Sequence, residues 1–291
     1  MAGCHRPRRV RHWLVANKAH RAAGVVYPPF FHMVKSSGRR VIDCRLDPDG
    51  WHLNARRLEA SIDSTTTAIL MCNPHNPTGR AFTAEELTAV ADIAERHDLL
   101  IISDEIWADV MFSGAKHVPI ASLSEETAAR TVTAGAASKA FNLAGLRCAV
   151  AHIGPEEMEK QIRELPDHLL GGVSSPGATA TLAAWTEGGE WLDETVAFLE
   201  EQRDYLVGRL AEELPGVGVS APEATYLAWL DLRAYDEPGD DPAAWLLENA
   251  KVALGSGPDF GEHGAGFARV NFATTRSVLE EMVERIVRAL G

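Results

Sequence analysis

Three short apolar runs, each broken off by polar residues, organise the first half of the chain. Ala68-Ile69-Leu70-Met71-Cys72 stops at Asn73-Pro74, Leu99-Leu100-Ile101-Ile102 runs into Ser103-Asp104, and Arg130-Thr131-Val132-Thr133-Ala134 leads to Ser138-Lys139. Short continuous apolar runs bounded by turn signals predict buried strands. Between the first two, Thr83-Ala84-Glu85-Glu86 spells a capping box, and Leu87, Val90, Ala91 and Ala94 follow at helical spacing. Strand, capped helix and strand form a βαβ unit, which implies parallel pairing and a right-handed crossover. The polar residues that end the runs then share the carboxyl edge of one sheet, where open α/β sheets hold their ligands.

The pattern changes past about Pro155. Leu192, Val196, Leu199, Leu206 and Leu210 stripe a long helix over 189–214 that Pro215-Gly216 ends. Thr225 to Leu232 and Phe267 to Phe272 read as strands, Pro242 opens a helix, and Val278, Met282, Ile286 and Leu290 stripe a last one. The expected architecture is α/β: a large domain over 25–160 with a mainly parallel sheet flanked by helices, and a smaller α+β domain over 161–291 that includes the interdomain helix. Residues 1–24 carry Arg6, Arg8, Arg9, Arg11, Lys18 and Arg21 without an acidic residue. They stand apart as an unassigned basic segment, read as a poorly specified terminus in preference to a targeting or anion-binding arm.

Composition narrows the function. Forty-one acidic against 28 basic side chains give a net charge of −13, which disfavours nucleic acid as a partner. No apolar stretch reaches the length of a membrane span, and no signal-peptide core lies near Met1. Cys4, Cys44, Cys72 and Cys148 are widely spaced and suggest reduced cytoplasmic thiols, with no metal site.

The strand ends bring together an amine, a carboxylate and an amide, the equipment for holding pyridoxal phosphate as a lysine Schiff base. Lys139 lies among Ala136, Ala137, Ala140 and Phe141, an apolar setting that suits a lysine acting as a nucleophile; a solvated surface lysine is the alternative. Asp104 ends an apolar run, where a bare carboxylate is costly to bury and a pyridinium nitrogen is a fitting partner; it could equally cap a helix. Asn76 offers an amide donor, or simply forms a turn before Pro77. Arg147 could bring a planar cation to a phosphate, or lie on the surface.

As a set, Asn73-Pro74-His75-Asn76-Pro77-Thr78-Gly79-Arg80, Asp104-Glu105-Ile106, Ser138-Lys139-Ala140-Phe141-Asn142-Leu143-Ala144-Gly145-Leu146 and Tyr27-Pro28-Pro29-Phe30-Phe31 resemble fold-type I pyridoxal-phosphate enzymes of the class I/II aminotransferase superfamily. The wording is nearest the branch of cysteine-S-conjugate and cystathionine β-lyases, over about residues 25–291. The resemblance implies that Lys139 is the Schiff-base lysine and Asp104 the partner of the ring nitrogen. It also implies that Asn76 bonds the ring oxygen, Ser138 and Arg147 hold phosphate, Tyr27 stacks on the ring, and Arg269 binds the substrate carboxylate. The implied reaction is a β-elimination on a cysteine conjugate such as cystathionine, giving thiol, pyruvate and ammonia. Lys139 serves there as base and as proton donor to sulfur. An aminotransferase is the alternative outcome, and a homodimer the implied assembly.

Two departures modify that expectation. Trp107 stands where relatives carry tyrosine or histidine; its indole N–H can donate to the ring oxygen but cannot titrate. Only 26 residues precede Tyr27, without the Gly-rich turn and helix that the family places against the phosphate. The expectation is therefore an N-terminally shortened family member with exposed apolar surface and a weakened hold on the cofactor, with an inactive remnant as the third reading.

Overall fold

A computed structural model describes residues 12–16, 28–166, 171–261 and 263–291. The larger sheet contains β1 (His12–Ala16), β2 (Arg40–Cys44), β3 (Thr66–Cys72), β4 (Leu100–Asp104), β5 (Thr131–Gly135) and β6 (Val150–Ile153), in the order β2-β1-β3-β4-β5-β6. Pairing is parallel from β2 through β5, and β6 runs antiparallel to β5. The three apolar runs are thus adjacent strands, and the register that sets Cys72 beside Asp104 brings the polar strand ends to one edge. β1 was not expected. The arginines around Trp13-Leu14-Val15 mask a short apolar run, and only pairing with β2 and β3 reveals it as a strand.

Between β3 and β4, α3 (Ala84–Arg96) buries Leu87, Val90, Ala91, Ile93 and Ala94. Its capping box is formed: Glu86 N–H donates to Thr83 Oγ1 and Thr83 N–H to Glu86 Oε2. Glu86 also accepts from Leu53 N–H and from Arg80 Nη2, so one carboxylate ties the start of α3 to two loops. The flanking helices of this half include α1 (Pro28–Ser36), α2 (Ala55–Ala60), α4 (Glu125–Ala129) and α5 (Glu156–Arg163).

The second half begins with α6 (Ser175–Glu187) and α7 (Gly189–Glu213). A smaller antiparallel sheet follows, ordered β7-β9-β8 from β7 (Leu227–Asp231), β8 (Gly255–Ser256) and β9 (Phe267–Asn271), with α8 (Pro242–Asn249) and α9 (Arg276–Leu290) against it. In α7 the apolar stripe packs inward as expected, and buried Gln202 joins it by donating to Thr274 O at 2.9 Å. The stripe of α9 keeps Met282, Ile286 and Leu290 against the core as expected, and its first position shifts from Val278 to Leu279. Leu279, Val283 and Ile286 are buried while Val278 is exposed, because α7 and α8 lie against the neighbouring face.

The two sheets share their apolar interior. One cluster joins Leu70, Trp107 and Phe112 to Leu206, Leu230, Phe272 and Ile286. A second joins Met71 and Phe82 to Trp229 and Phe267. Large apolar side chains also stand exposed on and around α6, among them Val150, Leu182, Trp185, Trp191 and Phe198.

Thr83→Ala is expected to cost about 1 kcal/mol in urea unfolding, the value of a lost helix cap. Glu86→Ala should cost more, since it also leaves the buried Arg80 without its carboxylate partner at 2.9 Å.

Candidate active site

The loop after β3 is the first wall of the site, and its shape follows from Gly79. Its φ is +71°, and a Cβ there would lie 2.5 Å from Pro222 Cβ and 2.9 Å from Ala224 O. Only glycine accepts both the left-handed backbone and that approach. Gly79 O accepts from Glu223 and Ala224 N–H, so the loop is stitched to the chain entering β7. Arg80 is buried beside it and donates to Gly50 O at 2.9 Å and to Glu86. Thus held, Asn76 is buried, and its Oδ1 accepts from Arg269 Nη1 on β9 at 2.9 Å. The side-chain oxygen is engaged, and the amide N–H₂ remains the group suited to donate to a ligand.

Asp104 closes β4. Its Oδ1 accepts the Ile106 N–H at 3.2 Å, and its carboxyl is half-buried. Burial pushes it up to about 6, opposed by the Ile106 N–H and the Lys139 charge and reinforced by the Glu105 charge. Just beyond, Trp107 is buried. Lys139 Nζ stands 5.3 Å from the Trp107 ring centroid, and Tyr226 meets the same ring edge-on at 4.6 Å between centroids. Lys139 is half-buried and opens into a cavity of about 370 Å³ shared with Tyr226, Trp191, Phe198, Asn271 and Thr274, a size suited to a small ligand.

Asp104, Trp107 and Lys139 therefore meet at the end of the large sheet, and Asn76 meets Arg269 where the two sheets join. Ser138 is half-buried next to Lys139. Arg147 is exposed, and its left-handed backbone (φ 50°, ψ 48°) turns the chain out of the Lys139 loop toward β6. Tyr27 lies outside the described residues. Sequence reasoning missed Tyr226, Trp191 and Phe198, whose aromatic side chains read as ordinary strand and helix positions. Burial holds the Tyr226 phenol proton more tightly than usual, against the opposing charge of Arg269.

The family model for aminotransferases of class I and II matches residues 22–286. The chain belongs to that family. It is 38% identical over 271 residues to cystathionine β-lyase PatB of Bacillus subtilis, covering 91% of this chain and 70% of that protein. It is 39% identical over 267 residues to cystathionine β-lyase of Corynebacterium glutamicum, covering 91% and 69%. Its fold is that of solved relatives such as cystalysin from Treponema denticola, which contains pyridoxal 5′-phosphate. The TM-score is 0.88 at 30% identity, over 96% of this chain and 70% of that one.

The donor set fits such a cofactor. Burial lifts the Asp104 carboxyl to about 6 even against the Lys139 charge, a cost that a protonated pyridine nitrogen would relieve, and the Lys139 amine stands over the Trp107 indole.

Asp104 binds its proton more tightly folded than unfolded, so its contribution to stability is favourable at low pH and is lost as pH rises from about 4 through about 6. Cofactor-free Asp104→Asn should therefore be more stable than wild type at pH 7–8, by up to about 2 kcal/mol, with the gap closing toward pH 4. Chemical unfolding across that range reads the effect.

Proposed function

We propose that this chain is a pyridoxal-phosphate-dependent carbon–sulfur β-lyase that cleaves cysteine conjugates such as cystathionine to thiol, pyruvate and ammonia. One observation carries the reading: the Lys139 amine, which lines a cavity of amino-acid size, stands over the Trp107 ring and within reach of the charge on the half-buried acid Asp104. The relatives named above supply the choice of reaction.

Pyridoxal phosphate, when bound, supplies an electron sink for charge that develops at the substrate α-carbon. The remaining roles fall to the chain. Asp104, as a carboxylate, keeps a proton on the ring nitrogen. Asn76 donates to the ring oxygen, with the indole N–H of Trp107 as a second, non-titrating donor. Ser138 and Arg147 are assigned to the phosphate and Tyr27 to the ring face. Arg269 takes the substrate carboxylate with its planar fork, and its bond to Asn76 Oδ1 limits how that fork can turn. Lys139 removes the α-proton and returns a proton to the departing sulfur, an economy open to a flexible amine at one face of the substrate. The buried Trp107 and Ala140 keep one side of that amine dry.

The same reading takes the chain as a cytoplasmic enzyme for a small amino-acid substrate, and as a homodimer with a cofactor unit over 25–160, a smaller unit over 161–291 and a basic segment over 1–24 whose strand β1 joins the sheet of the cofactor unit. Buried thiols at Cys44 and Cys72 suit a reducing compartment. No described helix is long and apolar enough to cross a membrane.

Borohydride reduction of the cofactor-loaded chain, followed by peptide mass spectrometry, should find a pyridoxyl group on Lys139. A label elsewhere, or none, would overturn the reading in favour of an inactive remnant. Lys139→Ala should lose about 10²–10⁴-fold in pyruvate release from cystathionine. Amino transfer to a 2-oxo acid without sulfur loss would instead identify an aminotransferase. Arg269→Ala should raise KM by about 10- to 100-fold, in keeping with a lost charge-assisted pair, with a smaller effect for Arg269→Lys.

A further inference from the structure

Arg269 sits in a row of residues that crosses the smaller sheet. Trp229 on β7, Arg269 on β9 and Gly255 on β8 stand opposite one another in register. Directly paired residues share a face of a sheet, so the arginine stem lies between a large ring and a glycine. A Cβ on Gly255 would lie 3.3 Å from Arg269 Cβ and 3.4 Å from its Nε, so the stem passes close over β8. Phe260, at the end of the turn that follows β8, returns to this row. Its ring centroid is 4.8 Å from Arg269 Cζ, and Trp229 meets the same ring edge-on at 5.2 Å between centroids. Phe260 and Trp229 are both buried. At the tip of the arginine, Nη1 donates to Asn76 Oδ1 at 2.9 Å.

The guanidinium is therefore held by two contacts of different kinds. The bond to Asn76 fixes where one nitrogen lies and leaves the group able to swing about that point. A ring within cation–π range of Cζ, itself braced by Trp229, limits the remaining swing and attracts the charge through its negative face. A buried phenylalanine is ordinarily core filling, and an aliphatic side chain of similar volume would serve that purpose nearly as well. It would offer the cation no face.

We infer that Phe260 is a positioning residue of this site, whose ring holds the Arg269 guanidinium in the orientation that receives a substrate carboxylate. The carboxylate half of that statement rests on the function proposed above, and the seating of the arginine does not. A planar fork makes two parallel N–H bonds to a carboxylate, and a fork already set in place loses less freedom on binding. A loosened guanidinium therefore weakens substrate binding more than it slows the chemistry.

The first test uses cofactor-free chain labelled in arginine with nitrogen-15, with the Arg269 side-chain signals assigned by their loss in Arg269→Lys. NMR measures rotation of the guanidinium about its Nε–Cζ bond. Phe260→Leu keeps apolar bulk and removes the ring. Trifluorophenylalanine incorporated at position 260 keeps the ring and depletes its negative face. Rotation should quicken by about 2- to 30-fold in Phe260→Leu, with the trifluoro chain following and a monofluoro chain between it and wild type. Unchanged rotation in the trifluoro chain overturns the inference and leaves Phe260 as core packing. Should Phe260→Leu fail to fold, the fluorinated series decides alone.

The second test loads each chain with pyridoxal phosphate and measures pyruvate release from cystathionine. KM should rise by about 2- to 30-fold in Phe260→Leu and by less in the trifluoro chain, with the change falling on KM in preference to kcat. A fall in kcat at unchanged KM overturns the role in substrate binding. Turnover with unmoved rotation defeats this inference alone. Quickened rotation in the cofactor-free chains with no cofactor on Lys139 defeats the proposed function and leaves the seating of Arg269 standing.

Discussion

The arrangement depends on a carboxylate kept where water cannot fully solvate it. Asp104 ends β4 between an apolar interior and the Lys139 amine, and burial outweighs both the Ile106 N–H and the lysine charge in setting its proton affinity. An acid in that position favours a cation beside it, because an added positive charge relieves the desolvation that the protein imposes. The β-strand is what makes this possible. Its parallel neighbours satisfy the backbone on both sides, so the polar load at its end falls on side chains alone.

A second constraint decides whether those side chains meet a substrate. Lys139 and Asn76 belong to loops of the larger sheet and Asp104 to the end of its strand β4, while Arg269 and Tyr226 come from the smaller one. The close approach at Gly79, the hydrogen bonds from Glu223 and Ala224 and the buried Arg80 clamp the two together. The Asn76–Arg269 bond and the Trp107–Tyr226 contact then cross the junction inside the site. Because both apolar clusters contain residues from both sheets, the sheets pack as one interior, and the cavity opens at its edge beside the exposed Trp191 and Phe198. Rigidity of that kind holds Arg269 at a fixed distance from the Lys139 amine.

Much of this was legible from local pattern. The strand before each polar cluster, the capping box of α3 and the stripe of α7 are short-range features, and each appears where periodicity put it. Strand β1 was obscured because five residues flanked by arginines give too weak a signal without neighbours to pair with. In α9 only Val278 was misplaced, since a helix with apolar residues at 278, 279, 282 and 283 offers two stripes and the packing of α7 and α8 leaves that position outside. Tyr226 and Arg269 carried no local mark at all.

The sequence alone determined the chemistry available: which residues end strands, and that an amine, an acid and an amide lie at corresponding positions in neighbouring units. That follows from nearest-neighbour physics, in which apolar runs seek burial and caps and turns stop them. The tertiary structure decided which charges feel one another. The proton on Asp104, the seat of Arg269 on Phe260 and the pairing of Asn76 with Arg269 depend on distances between residues up to 193 positions apart. Electrostatic interaction falls with separation in space and grows with exclusion of water, and neither quantity exists until the chain has packed.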